Sequence, residues 1–191
     1  MLHHIVSKAR SIRSFDMTKP IGKQLLVSFV DTLRLIPASC NYQALKYLII
    51  TDKAECDFMR SQTRWAALLP NYNGPDSDHS PTAYIVICHD TSVTENETMY
   101  LKDVGIAAQT LNLLAREQGI GCCMIGSFNI PEVSKYFKLA DNIKPKLTLA
   151  LGYPDEYPVV EDETGSVEYY RDENNVHHVP KRKTKDLIIN N

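Results

Sequence analysis

The chain has 191 residues, a formal net charge of −2 at pH 7 and a sequence pI of about 6.3. Hydrophobic residues make up 43% of it and charged residues 23%, which is typical of a globular domain with an apolar core. This balance excludes the strongly basic footprint of a nucleic-acid-binding protein, and no segment has the pattern of a membrane span or a signal peptide. We expect a single domain over residues 1–191, in the cytoplasm, without nucleic acid or membrane partners.

The cysteine and histidine residues show no spacing typical of a metal site or a disulfide framework. The cysteines are odd in number and lack a Cys-x-x-Cys pair, which indicates reduced thiols in a reducing compartment. The pairs His3–His4 and His177–His178 are sequence neighbours, whose side chains point in different directions on a strand or a helix. We therefore predict no metal and place these histidines at the surface.

The first half of the chain alternates helical and strand patterns. Residues 2–8 predict a short helix, and residues 22–35 carry apolar side chains at helical spacing. Residues 45–50 predict a strand. Residues 53–68, which include the only tryptophan, predict another helix, and a loop rich in turn residues follows over 70–81.

The second half continues the alternation. Residues 83–88 predict a strand covered on both faces, and residues 98–118 predict a long helix with a wide apolar stripe. A glycine-rich turn over 119–126 follows a helix rather than a strand, so it is not a dinucleotide-binding fingerprint. Residues 130–137 predict a short helix and residues 146–152 a strand. These elements favour an α/β or α+β fold with helices packed on a central sheet.

The last part of the chain differs in composition from the rest. After residue 154 the sequence becomes acidic, aromatic and polar, and it contains little that could form a core of its own. This composition predicts a tail that lies on another surface, with a second subunit as one candidate.

Two short segments carry side chains suited to a phosphorylated ligand. Arg-Ser-Ile-Arg-Ser-Phe at residues 10–15 places two guanidiniums and a hydroxyl within four positions, and such groups match phosphate oxygens. Pro-Ala-Ser-Cys-Asn-Tyr-Gln at residues 37–43 is a small polar loop suited to a flat, hydrogen-bonding ligand. Each segment alone is more typical of a solvated helix face or of turn chemistry. Together they suggest a cofactor such as flavin mononucleotide (FMN).

The order of the motifs resembles the nitroreductase family of FMN-dependent oxidoreductases. Residues 10–15 are similar to the family's opening Arg-Ser-x-Arg-x-Phe, and residues 37–43 to its Pro-Ser-x-x-Asn-x-Gln loop. Residues 103–126 resemble its central helix and Gly-Leu-Gly-x-x-x-Ile-Gly turn, and residues 151–154 its Leu-Gly-Tyr-Pro strand end. The tail over residues 170–182 resembles that of one subgroup.

The resemblance implies an α+β fold, with a central, mostly antiparallel sheet flanked by helices, in a homodimer that exchanges its tails. Residues 155–191 would pack on the partner subunit, and two FMN sites would lie at the interface. Residues from both subunits would hold each FMN. By position, the phosphate and ribityl chain would be held by Arg10, Ser11 and Arg13, with Lys181 and Arg182 as further cations at the phosphate. The ring would lie against Pro37, Ala38, Ser39 and Asn41 of the other subunit. The backbone of Ile125 and Gly126 would face flavin N5. Arg64 would reach the ring edge. Cys40, in the ring loop, has two interpretations, a redox thiol or a small filler beside the ring, of which we favour the filler.

The resemblance also implies a reaction. NADH or NADPH would deliver electrons through flavin N5 to a small electron-poor acceptor, such as a nitroaromatic compound or a quinone, in a ping-pong cycle that needs no protein acid or base. Two other classes remain open. One is a flavin-handling, flavin-fragmenting or reductive dehalogenase-type protein on the same scaffold. The other is a non-enzymatic module that binds FMN or another phosphate.

Overall fold

The computed structural model describes residues 2–190, which form a central antiparallel sheet with helices on both faces. The α-helices are α1 (Leu2–Lys8), α2 (Lys23–Leu33), α3 (Lys53–Gln62), α4 (Glu97–Glu117) and α5 (Ile130–Tyr136). The strands are β1 (Phe15–Asp16), β2 (Leu45–Ile50), β3 (Ala83–Asp90), β4 (Gly121–Ile125), β5 (Ile143–Pro154), β6 (Val159–Asp162), β7 (Tyr170–Arg171) and β8 (His177–Lys181). The predicted domain also includes Met1 and Asn191, which lie outside the described residues.

Strand β5 organises the central sheet because three other strands pair with it. Along one edge β5 pairs antiparallel with β3, which in turn pairs antiparallel with β2. Strand β5 also pairs antiparallel with β4 and, at its C-terminal end, with β1. The predicted α+β fold, with a mostly antiparallel sheet flanked by helices, is confirmed.

The two faces of the sheet bury separate apolar layers. All eight residues of β3 are buried, as predicted for a strand covered on both faces. Ile85 and Ile87 pack on one face with helices α2 and α4, whereas Tyr84 and Val86 pack on the other with Trp65 and residues of α3 and α5. Helix α4 is amphipathic, and within residues 2–190 no helix is both long and apolar enough to cross a bilayer.

The prediction of a helix over residues 53–68 was wrong at its C-terminal end. Helix α3 ends at Gln62, and Thr63 has extended backbone angles (φ −104°, ψ 146°). Thr63 forms a β-bridge with Phe128, and its Oγ1 accepts a hydrogen bond from the indole N–H of Trp65 at 2.9 Å. These contacts hold the chain extended and place Trp65 in the core outside any helix.

The prediction of a turn over residues 119–126 was also wrong. Gly119 ends helix α4 with a φ of +73°, and its N–H donates to the carbonyl of Arg116 at 3.0 Å. The chain then enters strand β4, which is buried apart from the partly exposed Met124. The glycines in this run obscured a short strand that pairs with β5.

The tail forms a small second sheet that composition did not predict. Strand β8 pairs in parallel with β6 and antiparallel with β7. The tail also contacts its own subunit, because the carboxylate of Glu156 accepts a hydrogen bond from the backbone N–H of Arg13. The packing of residues 155–191 on a partner subunit stays a prediction.

Candidate functional site

A cavity of about 330 Å³ lies where the segment after α1 meets helix α4, strand β4 and the tail. We call it the arginine cavity. Its lining residues come from both ends of the chain and from α4 and β4: Ala9, Arg10, Ser11, Arg13, Gln109, Asn112, Cys122, Met124, Tyr169, His177, Val179 and Lys181. Three of them are cationic, and none of the described lining residues is Asp or Glu. The site therefore favours an anionic ligand.

The arginine segment lies in place because a glycine allows it close to strand β4. The N–H of Ile12 donates to the carbonyl of Cys122 at 3.0 Å, and Ser11 forms a parallel bridge with Cys122. A Cβ on Gly121 would lie 2.9 Å from Cγ1 of Ile12, which is closer than real side chains approach. Gly121 thus fixes where Arg10 and Arg13 emerge on either side of Ile12.

Arg13 is the most deeply held cation of the cavity, with only 8% of the residue exposed. Its guanidinium lies 5.3 Å from the centre of the Tyr169 ring, and Nη1 lies 3.0 Å from Nε2 of His177. The nearby carboxylate of Glu156 is already paired with Arg171, at 2.7 Å between Oε2 and Nη2. The guanidinium of Arg13 therefore interacts with the ring of Tyr169 and with a nitrogen of His177, rather than with a carboxylate of its own.

His177 is buried, so the prediction that it lies at the surface was wrong. Only 4% of the residue is exposed. Burial, and then the charges of Arg13 and Arg171, lower its pKa to about 4. The ring is neutral at pH 7. On strand β8 its neighbour His178 points the other way, towards the carboxylates of Glu161 and Asp172, which raise the pKa of His178.

Three nitrogen donors of the cavity's own residues are buried and have no hydrogen-bond partner among the described residues. They are Nε of Arg10, Nε of Arg13 and Nδ1 of His177. Buried donors in folded proteins are nearly always paired, because an unpaired one costs about 1–3 kcal/mol. A ligand with several acceptor oxygens would pair them. The donor set therefore fits a phosphate.

The predicted ring loop lies in a different place within the subunit. Pro37 and Ala38 line a second cavity of about 420 Å³ between α2, β2 and α4. The N–H and hydroxyl of Ser39 both donate to Oδ1 of the buried Asp103, at 2.9 and 2.8 Å. Asn41 is exposed and has a left-handed backbone with φ +54°. One subunit thus separates the residues predicted for the phosphate from those predicted for the ring.

The remaining predicted residues are dispersed. Lys181 lines the arginine cavity, whereas Arg182 lines a separate cleft with Glu163. The backbone N–H of Arg64 donates to the carbonyl of Ser127 at 2.9 Å, in a polar cleft beyond the end of β4. Cys40 is exposed in the ring loop. The roles predicted for these residues stay predictions.

Sequence reasoning missed part of the cavity wall. Gln109 and Asn112 of α4 line it, as do Tyr169 and His177 of the tail. The sequence could have indicated the two residues of α4, because polar residues three positions apart share one face of a helix and these lie beside its apolar stripe. Nothing in the sequence marked Tyr169, because its position depends on how the tail folds back.

Comparison with known proteins assigns the fold to a family. The family model described as "Nitroreductase family" matches residues 6–153, and the chain belongs to the nitroreductase family. A protein of Archaeoglobus fulgidus named "Putative NADH dehydrogenase/NAD(P)H nitroreductase" is 24% identical over 152 residues, covering 77% of this chain and 82% of that protein. A protein of Methanothermobacter thermautotrophicus with the same name is 20% identical over 161 residues, covering 82% and 79% respectively.

Solved structures show the same fold. A Desulfovibrio desulfuricans protein, described as "a putative nitroreductase in complex with fmn", matches with a TM-score of 0.70 at 17% identity, covering 98% of this chain and 95% of that one. A nitroreductase family protein of Streptococcus pneumoniae also gives a TM-score of 0.70, at 16% identity, covering 86% and 96%.

Proposed function

We propose that this chain is an FMN-dependent oxidoreductase that passes electrons from NADH or NADPH to a small electron-poor acceptor, such as a nitroaromatic compound or a quinone. Membership of the family supports oxidoreductase chemistry. The names of the archaeal relatives support the nicotinamide donor, and the FMN complex of the Desulfovibrio protein supports the flavin. The observation that carries the proposal is the arginine cavity, whose residues hold three unpaired buried donors.

The chemistry of the cavity fits the phosphate end of FMN. Arg10 and Arg13 offer forked N–H donors that match phosphate oxygens, and Ser11 adds a hydroxyl. Lys181 supplies a further positive charge from the other side of the cavity. We assign these four residues to the phosphate and ribityl chain. Arg182 stays a prediction that rests on the family resemblance alone.

We assign the ring of FMN to residues of both subunits. Pro37, Ala38, Ser39 and Asn41 of the partner subunit would lie against it, on a loop that Asp103 holds through Ser39. The end of β4 would face it from the other side, where Gly126 is exposed and has no side chain to obstruct a planar ligand. This arrangement is the reason why we propose a homodimer.

The chain's own residues bind and orient rather than react. When bound, FMN supplies the redox chemistry, a hydride exchange at N5 with NAD(P)H and then with the acceptor in a ping-pong cycle. Arg10, Arg13 and Lys181 would neutralise the phosphate charge and fix one end of the molecule. Fixing that end restricts where the ring can lie, which reduces the entropy lost when a donor or acceptor aligns with it.

The direct test is to purify the protein, record its visible spectrum and titrate the apoprotein with FMN. We expect flavin absorbance and saturable binding, followed by oxidation of NADH or NADPH in the presence of quinones or nitroarenes. A colourless protein that binds no added FMN would overturn the proposal. A protein that binds FMN but oxidises neither nucleotide with any acceptor would keep the flavin site and overturn the reductase.

The two-subunit site has its own test, in which Arg10→Ala and Asn41→Ala chains are mixed and the heterodimer is isolated. If each site takes Arg10 from one subunit and Asn41 from the other, one heterodimer site contains both wild-type residues and the other contains both substitutions. We expect one site of wild-type FMN affinity per heterodimer. If both residues act on FMN within one subunit, no wild-type site appears.

A further inference from the structure

The contact between Arg13 and His177 determines which nitrogen of the histidine ring carries the proton. A guanidinium can only donate hydrogen bonds, and Nη1 of Arg13 lies 3.0 Å from Nε2 of His177. Nε2 must therefore accept. Since burial and the neighbouring arginines keep the ring neutral at pH 7, its single proton is on Nδ1.

This Nδ1–H is a donor without an acceptor. The atom is buried and has no hydrogen-bond partner among residues 2–190, and His177 lines the arginine cavity. The ring lies against Tyr169, with 5.4 Å between the ring centres, and this contact together with Arg13 restrains its orientation. The carboxylate of Glu156 is occupied by Arg171 and by the backbone of Arg13. Among residues 2–190 no acceptor is left for Nδ1–H, and a ligand in the arginine cavity would supply one.

We propose that His177 is a ligand-binding residue of the arginine cavity, with Nδ1–H donating to a phosphate oxygen of FMN while Arg13 holds the ring in this tautomer. The inference rests on the proposed FMN function and adds a residue that the family motifs do not mark. A neutral donor suits this position because Arg10, Arg13 and Lys181 already line the cavity. A protonated His177 ring would add a fourth positive charge and repel these cations, whereas the neutral Nδ1–H adds a directional hydrogen bond without that repulsion.

Two substitutions separate the two nitrogens of the ring. His177→Gln keeps an acceptor near the Nε2 position, so Arg13 retains a partner, but it lacks a donor at the Nδ1 position. His177→Asn keeps a donor near Nδ1 and lacks the acceptor for Arg13. His178→Gln is the matched control, because His178 points to Glu161 and Asp172 and does not line the cavity.

The measurement is the FMN dissociation constant of each apoprotein, obtained from quenching of flavin fluorescence. We expect His177→Gln to bind FMN about tenfold to a hundredfold more weakly, the range for losing a hydrogen bond to a charged group. We expect His177→Asn to lose less and His178→Gln to bind like the wild type. Wild-type affinity in His177→Gln, or equal losses in the Gln and Asn variants, would overturn the proposal while FMN binding by the wild type stands.

A second measurement needs no substitution and remains decisive if a variant fails to fold. Nitrogen-15 NMR of the histidine-labelled wild-type protein distinguishes the two tautomers. We expect His177 to carry its proton on Nδ1 and that nitrogen to shift when FMN is added. A proton on Nε2, or an Nδ1 resonance that FMN leaves unchanged, would overturn the role of His177. A wild-type protein that does not bind FMN would overturn this inference and the proposed function together.

Discussion

Replacing Arg10 with alanine tests the arginine cavity with little disturbance of the fold. The side chain is only half-buried, and its one hydrogen bond within the described residues runs from Nη2 to the carbonyl of Val6, at 2.8 Å and in an exposed position. Loss of such a bond costs about 0.5–1.5 kcal/mol of stability. Nε of Arg10 has no partner, so alanine leaves no new unpaired donor behind.

The expected loss of FMN affinity is larger than this loss of stability. A charge-assisted hydrogen bond to a phosphate contributes about 1.5–3 kcal/mol, which corresponds to about a tenfold to hundredfold increase in the dissociation constant. The effect should shrink as salt is added, because screening weakens interactions between partly exposed charges. Fluorescence titration of the apoprotein at low and high salt measures both effects, and thermal unfolding measures stability.

The control for Arg10→Ala is Lys8→Ala, which removes an exposed cation from the adjacent helix without touching the cavity. We expect Lys8→Ala to bind FMN like the wild type. Unchanged affinity in Arg10→Ala would refute the assignment of the cavity to the phosphate. Equal losses in the two variants would show that only the overall charge matters, and would refute the specific contact.

Three further predictions concern stability and assembly. Gly152→Ala should lower the free energy of unfolding, measured with urea, by about 1–3 kcal/mol, because the new Cβ would lie 2.7 Å from the buried ring of Phe15. Gly105→Ala is the control and should not destabilise the protein, because a Cβ there meets open space. The pKa of His177 is lower in the folded protein, about 4, than in the unfolded chain, about 6.5, so the wild type loses stability as the pH falls through this range. His177→Gln lacks this group and should lose less stability than the wild type between pH 8 and 5. His178→Gln should lose more stability than the wild type over the same range, because the raised pKa of His178 in the folded protein gives stability at low pH that is lost as the pH rises. Superimposable curves of stability against pH for the variants and the wild type would contradict both statements. Removing the chain from Glu156 onward should abolish the dimer in sedimentation, and an intact dimer would argue against the exchanged tail.

The sequence predicts elements well where hydrophobic periodicity alone determines them. Strand β2 has the predicted bounds, and α4 differs from its prediction by one residue at each end. Both are defined by apolar positions that a sheet face or a helix stripe must bury. Helix α3 was predicted six residues too long because its pattern continues past Gln62, and only the tertiary bridge from Thr63 to Phe128 ends it.

The sequence predicts the cationic part of the cavity but not its neutral part. Arg10 and Arg13 could be predicted because guanidiniums match phosphate oxygens and because the order of the motifs resembles that of a known family. We predicted His177 at the surface because it adjoins His178, and the side chains of sequence neighbours point in different directions. Its burial arises from contacts with Arg13, which is distant in the chain, and with Tyr169 across the folded tail, and local composition reveals neither.

Strand β8 shows how the alternation of a strand shifts the pKa values of two neighbouring histidines in opposite directions. His177 faces the arginine cavity, where burial and two guanidiniums hold it neutral. His178 faces Glu161 and Asp172, whose carboxylates favour its protonated form. The contacts of His178 connect β8 to β6, through Glu161, and to the turn after β7, through Asp172. Strand β8 places His177 against Arg13. The carboxylates of the tail that contact β8 thus lie on its outer face, whereas its inner face carries His177 into the arginine cavity.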